Sequence, residues 1–227
     1  RLKRPWEGEI SKTEIINSKT YDPNCYLCPG NIRANGEKND NYSSTYSFIN
    51  DYSSLNINQI DENSIDGLLE ARSEKGICKV ICYSPNHSQT MSKMSVGEIK
   101  SVINLWREEY KSLGLLKEIN HVQIFENKGE MMGCSNPHPH GQVWAQETVP
   151  HIVQKKDLNQ KNFFSKNNKS LLKTYIDQEL SINERIVIEN NSFVSLVPYW
   201  ATWPFEVMIV PKKQKKSILD LTNNEIN

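Results

Sequence analysis

The twenty residues from Phe125 to Trp144, FENKGEMMGCSNPHPHGQVW, constrain this chain more than any other stretch. Two histidines flank Pro139, and the run then enters the β-rich segment Gln142–Gln146. In an extended chain, alternation puts His138 and His140 on the same side. Pro139 has no N–H to donate, so the pair belongs at the start or edge of a strand. Gly129 and Gly133 permit close backbone approach, and N–H groups around them suit phosphate oxygens. Asn127, Ser135 and Gln142 fall in the same stretch. That convergence argues against a polar loop with two incidental histidines.

The remaining pattern predicts a mixed α and β chain. Thr45–Asn50, Gly76–Tyr83, His121–Glu126, Arg185–Glu189, Phe193–Val197 and Glu206–Val210 read as strands. The segment Ser95 to Leu113 reads as a helix. Ser95 and Glu98 form a capping box, Ile99, Val102, Ile103, Trp106, Tyr110 and Leu113 share one face, and Gly114 ends it. Residues 154–183 are polar and read as a variable helical or disordered connection. The 25 asparagines read as loop insertions and composition bias. At a spacing of 127 the order strand, proline-bearing turn, capped helix repeats: Val80-Ile81-Cys82 answers Val207-Met208-Ile209, and Ser95…Glu98 answers Thr222…Glu225. This echo predicts a structural duplication whose second copy is cut short at Asn227.

Charge excludes several classes of function. Lys plus Arg number 27 and Asp plus Glu number 27, for a net charge of zero. That balance argues against a nucleic-acid binder or a protein held on anionic membranes. No run of 18 apolar residues offers a membrane span, and Arg1-Leu2-Lys3-Arg4-Pro5 is not a signal peptide. The five cysteines, without a secretory signal, point to a reducing, cytoplasmic location.

Cys25 and Cys28 form a C-x₂-C knuckle bounded by Pro23, Pro29 and Gly30. Two thiolates at this spacing can grip one Zn²⁺. A thioredoxin-like pair would need a strand before it and a helix after it. His87, in the turn after the Gly76–Tyr83 strand, is a candidate third ligand, and either His138 or His140 a candidate fourth. The basic cluster before Pro5-Trp6 could clamp phosphates but also suits a solvated terminal segment. The aromatic loop Val197–Glu206 reads as core and turn packing.

Taken together, GCSNPHPHGQVWA, CYLCPGN, SPNH, KRPWEG and VPYWATWPFE resemble class I galactose-1-phosphate uridylyltransferases of fungal type, in the histidine-triad-like superfamily. The resemblance runs in order from Arg1 to Asn227. It implies an α+β fold of two related half-domains, each an antiparallel sheet with flanking helices. Residues 1–150 are expected to be the first half-domain, and 151–227 a connection and the start of an incomplete second.

The resemblance also implies a function in galactose metabolism. His140 is expected to attack UDP-glucose and release glucose 1-phosphate. UMP then passes from uridylyl-His140 to galactose 1-phosphate, giving UDP-galactose. Gln142 replaces the third histidine of related hydrolases, and with Ser135 is expected to contact the phosphates. Asn127 and Gly133 are expected on the nucleotide side, Asn50 and Asp51 at ribose and uracil, and Arg1 and Arg4 at the phosphates, Arg4 from across a homodimer interface. A structural zinc is implied on Cys25, Cys28, His87 and His138. The family's second, iron-type site is expected to be absent or incomplete. Its carboxylate position falls near Lys156, beside Asp157, and its C-terminal histidines lie beyond Asn227. The rival readings are another nucleotidyltransferase or dinucleotide phosphorylase of the same superfamily, and a zinc-dependent binding module.

Overall fold

The computed structural model describes residues 19–129, 132–134 and 136–226. Nine strands and four α-helices are named here within that range. They are β1 (Tyr46–Ile49), β2 (Asn63–Asp66), β3 (Leu69–Arg72), β4 (Gly76–Cys82), α1 (Val96–Gly114), β5 (His121–Phe125), β6 (His140–Gln146), α2 (His151–Asn167), α3 (Leu171–Ile182), β7 (Ile186–Glu189), β8 (Phe193–Leu196), β9 (Met208–Pro211) and α4 (Asn223–Ile226). The main sheet has the order β1-β4-β6-β5. A hairpin, β2-β3, and a three-stranded sheet, β7-β8-β9, stand apart from it.

The described residues divide into two compact units, one holding those within 1–53, 79–102 and 124–143, the other the remainder. In the first, β1 pairs antiparallel with β4, Phe48 opposite Val80 and Tyr46 opposite Cys82. Phe48, Val80 and Cys82 are buried together with Cys25, Leu27 and Cys28, so the cysteine knuckle is part of a hydrophobic core. Strand β6 shows why its sequence alternates: Gly141, Val143 and Ala145 are buried, while His140, Gln142, Trp144 and Gln146 are half-buried on the other face. Gly141 is required where it stands. A β-carbon there would meet the Tyr83 hydroxyl and lie 2.8 Å from the Phe125 carbonyl oxygen.

In the second unit, β8 pairs antiparallel with β7 and with β9, Val194 opposite Val210 and Leu196 opposite Met208. Helix α3 contributes Ile176 to the core formed by Val194, Leu196 and Val210. Glu179 of α3 is buried and takes two 2.9 Å hydrogen bonds from Arg185 Nε, which ties the helix to the start of β7. That pairing holds the Glu179 carboxyl below the usual carboxylate range.

Both capping boxes expected from the sequence are formed. The Glu98 N–H donates to Ser95 Oγ at 3.3 Å while Ser95 N–H donates to Glu98 at 2.7 Å. Glu225 and Thr222 make the same reciprocal pair at 3.3 and 2.9 Å. Of the two readings left open for residues 154–183, helical and disordered, the helical one is found: α2 and α3 cover most of the segment, Ser170 caps α3, and Asn168 and Asn183 end the two helices in the left-handed conformation that asparagine tolerates. Two features differ from expectation. The β2-β3 hairpin carries no alternating burial and was not legible; every one of its residues is exposed. The aromatic loop is not core: Phe205 is fully exposed and Tyr199 and Trp203 largely so, although Trp200 packs on Tyr175 with ring centroids 4.8 Å apart.

Candidate metal cluster and nucleophile pocket

Cys25, Cys28, His87 and His138 are all buried, and one ligand atom from each lies within 4.8 Å of the others. The knuckle is shaped by hydrogen bonds that use nearly every backbone group in it. The Cys28 N–H donates to the Cys25 carbonyl at 3.1 Å, and the Leu27 N–H points at Cys25 Sγ at 3.4 Å. The outward carbonyls are taken by side chains. Asn31 donates to Cys25 O at 2.8 Å, Asn39 to Tyr26 O and Cys28 O at 2.9 and 3.1 Å, and the Tyr42 hydroxyl to Leu27 O at 2.6 Å. Buried polar groups need such partners, and here asparagines supply them.

The donor set fits a tetrahedral metal ion. With metal–sulfur bonds of about 2.3 Å and metal–nitrogen bonds of about 2.0–2.1 Å, tetrahedral geometry puts sulfur and nitrogen roughly 3.6 Å apart. Cys28 Sγ lies 3.5 Å from His87 Nδ1 and 3.6 Å from His138 Nδ1. Burial, with the neighbouring His87, pushes His138 down to about 4, which keeps its imidazole neutral as ligation requires. Burial pushes the Cys28 thiol up to about 11, a cost that a bound cation reverses.

The second feature is a polar pocket lined by Tyr26, Asn127, Gly133, Cys134, Asn136, His140, Gly141 and Gln142. His140 opens β6, immediately after Pro139, whose carbonyl accepts from the Tyr83 N–H at 2.9 Å. His140 Nδ1 lies 2.7 Å from the His138 carbonyl oxygen. A carbonyl only accepts, so Nδ1 carries the proton and Nε2 carries the lone pair of the neutral ring. Nε2 approaches the Cys134 sulfur at 4.0 Å. Asn136 joins the two features: its side-chain oxygen accepts from the His138 N–H at 3.0 Å, and its amide lies 3.6 Å from Cys25 Sγ.

Of the residues singled out in the sequence, His140, Gln142, Asn127 and Gly133 meet in the pocket, and the four metal candidates meet in the cluster. His138 sits in the bend before β6 rather than in the strand, so strict alternation begins at His140, and the side chain that shares its face is Gln142. The histidines also have different surroundings, His138 the cysteines and His140 the pocket. Asn50 and Asp51 follow β1 and are not among the pocket-lining residues. Asn50 closes a turn onto the Tyr52 N–H at 2.9 Å, and the buried Asp51 carboxylate lies 3.6 Å from Arg33. Arg33 itself lies over the Phe48 ring at 4.4 Å. Arg1, Arg4 and Ser135 lie outside the described residues. Lys156 and Asp157 are on exposed α2, where Asp157 pairs with Lys161 at 2.6 Å. Sequence reasoning missed Tyr26, Cys134 and Asn136 as lining residues, although the Asn-Pro-His spacing of Asn136 is that of an asparagine side chain capping the N–H two residues on.

Residues 1–150 match the model of the galactose-1-phosphate uridyl transferase N-terminal domain, and residues 156–227 that of the C-terminal domain. The chain is 43% identical over 226 residues to the galactose-1-phosphate uridylyltransferase of Haemophilus influenzae, covering 99% of this chain and 64% of that protein. It is 42% identical to that of Schizosaccharomyces pombe, covering 96% and 63%. It therefore spans somewhat under two thirds of the length of these curated relatives. A solved uridylyltransferase superposes with a TM-score of 0.80 at 25% identity, over 93% of this chain and 67% of that one. An ADP-glucose phosphorylase from Arabidopsis thaliana superposes with a TM-score of 0.70 at 23% identity, which shows a shared fold alone. With both domain models matched in order along it, this chain is a member of the galactose-1-phosphate uridyl transferase family.

Proposed function

We propose that this chain carries the uridylyl-transfer site of a UDP-glucose–hexose-1-phosphate uridylyltransferase. The observation that carries the reading is the 2.7 Å contact from His140 Nδ1 to the His138 carbonyl, which leaves Nε2 as the nucleophilic atom in a polar pocket. In the first displacement, Nε2 bonds to the α-phosphorus of UDP-glucose as the bond to the glucose 1-phosphate oxygen breaks, and that oxygen leaves with the electron pair. In the second, a phosphate oxygen of galactose 1-phosphate attacks the same phosphorus, the N–P bond breaks, and its electron pair returns to Nε2. UDP-galactose is the product. Both exchanged oxygens belong to phosphates of low basicity, so neither step demands a strong general acid. The Nδ1–H bond to His138 supports the positive imidazolium of the intermediate throughout. Gln142, on the His140 face of β6, offers an amide to the phosphoryl oxygens, and the backbone around Gly133 and Asn127 is open to the nucleotide.

Zinc is the ion proposed for Cys25, Cys28, His87 and His138. Held there, the ion would crosslink the knuckle, the turn after β4 and the entry to β6, and so steady the His138 carbonyl that orients His140; no step of the transfer passes through it. Ser135, Arg1 and Arg4 are proposed at the phosphates, and Asn50 and Asp51 at the nucleoside, on the family resemblance. Each protomer is proposed to be built of two related half-domains, and the functional unit to be a homodimer. No helix among the described residues is long and apolar enough to cross a membrane. With all five cysteines free, we assign the protein to the cytoplasm. The test is to supply UDP-glucose without an acceptor. One glucose 1-phosphate released per active site, followed by a halt, supports two displacements, whereas steady release or none contradicts them.

A further inference from the structure

We propose that Tyr42 is a positioning residue that sets the tautomer of His138 and so holds the metal cluster and the nucleophile in one fixed geometry, an inference that rests on the zinc reading above. The Tyr42 hydroxyl has one proton. It lies 2.6 Å from the Leu27 carbonyl, an acceptor only, so the proton is spent there. The same hydroxyl lies 3.0 Å from His138 Nε2. With its proton already committed, the oxygen can only accept from that nitrogen. His138 Nε2 therefore carries the hydrogen, and Nδ1 carries the lone pair of the neutral imidazole. Nδ1 is the atom 3.6 Å from Cys28 Sγ, on the side where the four ligand atoms converge.

Tyr42 itself is held. Its ring stacks on Tyr46 with centroids 4.9 Å apart and planes 7° apart, and Tyr46 contacts Phe48 at 5.7 Å. Both tyrosines pack against the buried cluster that includes Cys25, Cys28 and Cys82. The hydroxyl is thus a fixed point, anchored to the knuckle backbone through Leu27. His138 then has its two functions assigned to different atoms. Its ring is clamped between Tyr42 and the metal cluster, and its carbonyl oxygen receives the His140 Nδ1–H at 2.7 Å. A hydrogen-bonded partner behind a ligating histidine sets ring orientation and basicity, and losing one costs about 10–100-fold in metal affinity.

Tyr42→Phe removes the hydroxyl and keeps the stacked ring. The experiment records histidine side-chain ¹⁵N spectra of the zinc-loaded wild type and measures transfer of zinc to a competing chelator in wild type and variant. We expect His138 to show a protonated Nε2 and a metal-bound Nδ1, and Tyr42→Phe to hold zinc about 10–100-fold more weakly. The wild-type spectrum needs no variant, so it decides the tautomer even where Tyr42→Phe folds poorly. Zinc bound through His138 Nε2, or a folded Tyr42→Phe that holds zinc as tightly as wild type, overturns the role of Tyr42 and leaves the zinc reading standing. A wild-type chain that binds no zinc overturns both.

Discussion

His138 and His140 are joined by a hydrogen bond from an imidazole Nδ1 to a backbone carbonyl two residues earlier, 2.7 Å long, in which only the imidazole can donate. The same His138 places its ring among two cysteines and a second histidine. The proposed metal ligand and the proposed nucleophile are therefore separated by one proline and linked through one peptide carbonyl. Any loosening of the cluster moves the acceptor that fixes which nitrogen of His140 is free. On the proposed reading, the cluster is a structural centre that orients His140.

Gln142 shares the half-buried face of β6 with His140 and lines the same pocket. An amide can hold phosphoryl oxygens without becoming a proton donor of useful acidity. Gln142→Ala is expected to slow single-turnover uridylyl transfer by about 10²–10³ while changing UDP-glucose affinity far less. Gln142→His is expected to divert part of the intermediate to hydrolysis, seen as UMP release. Equal losses of binding and transfer in Gln142→Ala would show that the side chain only binds the ground state.

Removing one thiolate from the cluster should cost both the ion and the fold around it, because ligation and folding are coupled. Cys28→Ala is expected to lose about one zinc per chain by elemental analysis and to melt at lower temperature. A chelator should produce the same lowering in wild type and none in Cys28→Ala. Full zinc content in the variant would remove Cys28 from the ligand set.

Gly141 is a packing constraint that can be tested apart from chemistry. A β-carbon at this position meets Tyr83 and the Phe125 carbonyl, whereas at Gly97 in α1 the nearest atom is Ser95 Oγ at 4.0 Å. Gly141→Ala is expected to destabilise by about 1–3 kcal/mol through overpacking. Gly97→Ala should be neutral or stabilising by up to about 1 kcal/mol. Denaturant midpoints of the two variants give the comparison, and equal effects would contradict it.

How much of this was legible without coordinates follows the kind of signal each residue carries. Local patterns read well: the Ser95–Glu98 box, the alternation of β6 and the strand β4 need only near neighbours. Cys25 and Cys28 suggest a metal site by spacing, but His87 and His138 are 59 and 110 residues from Cys28, and spacing alone leaves the choice between His138 and His140 open, which the resemblance makes and the fold supports by placing His138 beside the cysteines. Reading the asparagines as loop insertions and composition bias says nothing of what individual ones do. Asn31 and Asn39 bind knuckle carbonyls, Asn136 caps the His138 N–H, and Asn168 and Asn183 end helices. Each of these tasks depends on a partner or a backbone angle that a residue name does not display. Tyr42 was equally silent, because its importance lies in which single acceptor takes its proton.

Glu179 and Arg185 give a pH signature in the second unit. Their pairing holds the Glu179 carboxyl below its ordinary value of 4.5. A carboxylate depressed on folding stabilises fully above its unfolded pKa, and that contribution disappears as pH falls through the folded one. Glu179→Gln is expected to cost about 1.5–3 kcal/mol at neutral pH, the scale of a hydrogen bond to a charged group. The gap between wild type and variant should narrow as pH drops below about 4.5. A gap independent of pH would assign the loss to packing.

The most direct test of His140 as the covalent site is the intact mass of the protein after incubation with UDP-glucose alone, with wild type and His140→Gly treated in parallel. Transfer through uridylyl-His140 predicts that wild type gains one uridylyl group, that added galactose 1-phosphate removes it, and that His140→Gly keeps its zinc and gains nothing. Labelling that persists in His140→Gly, or a wild type that releases glucose 1-phosphate without ever carrying the group, would contradict it.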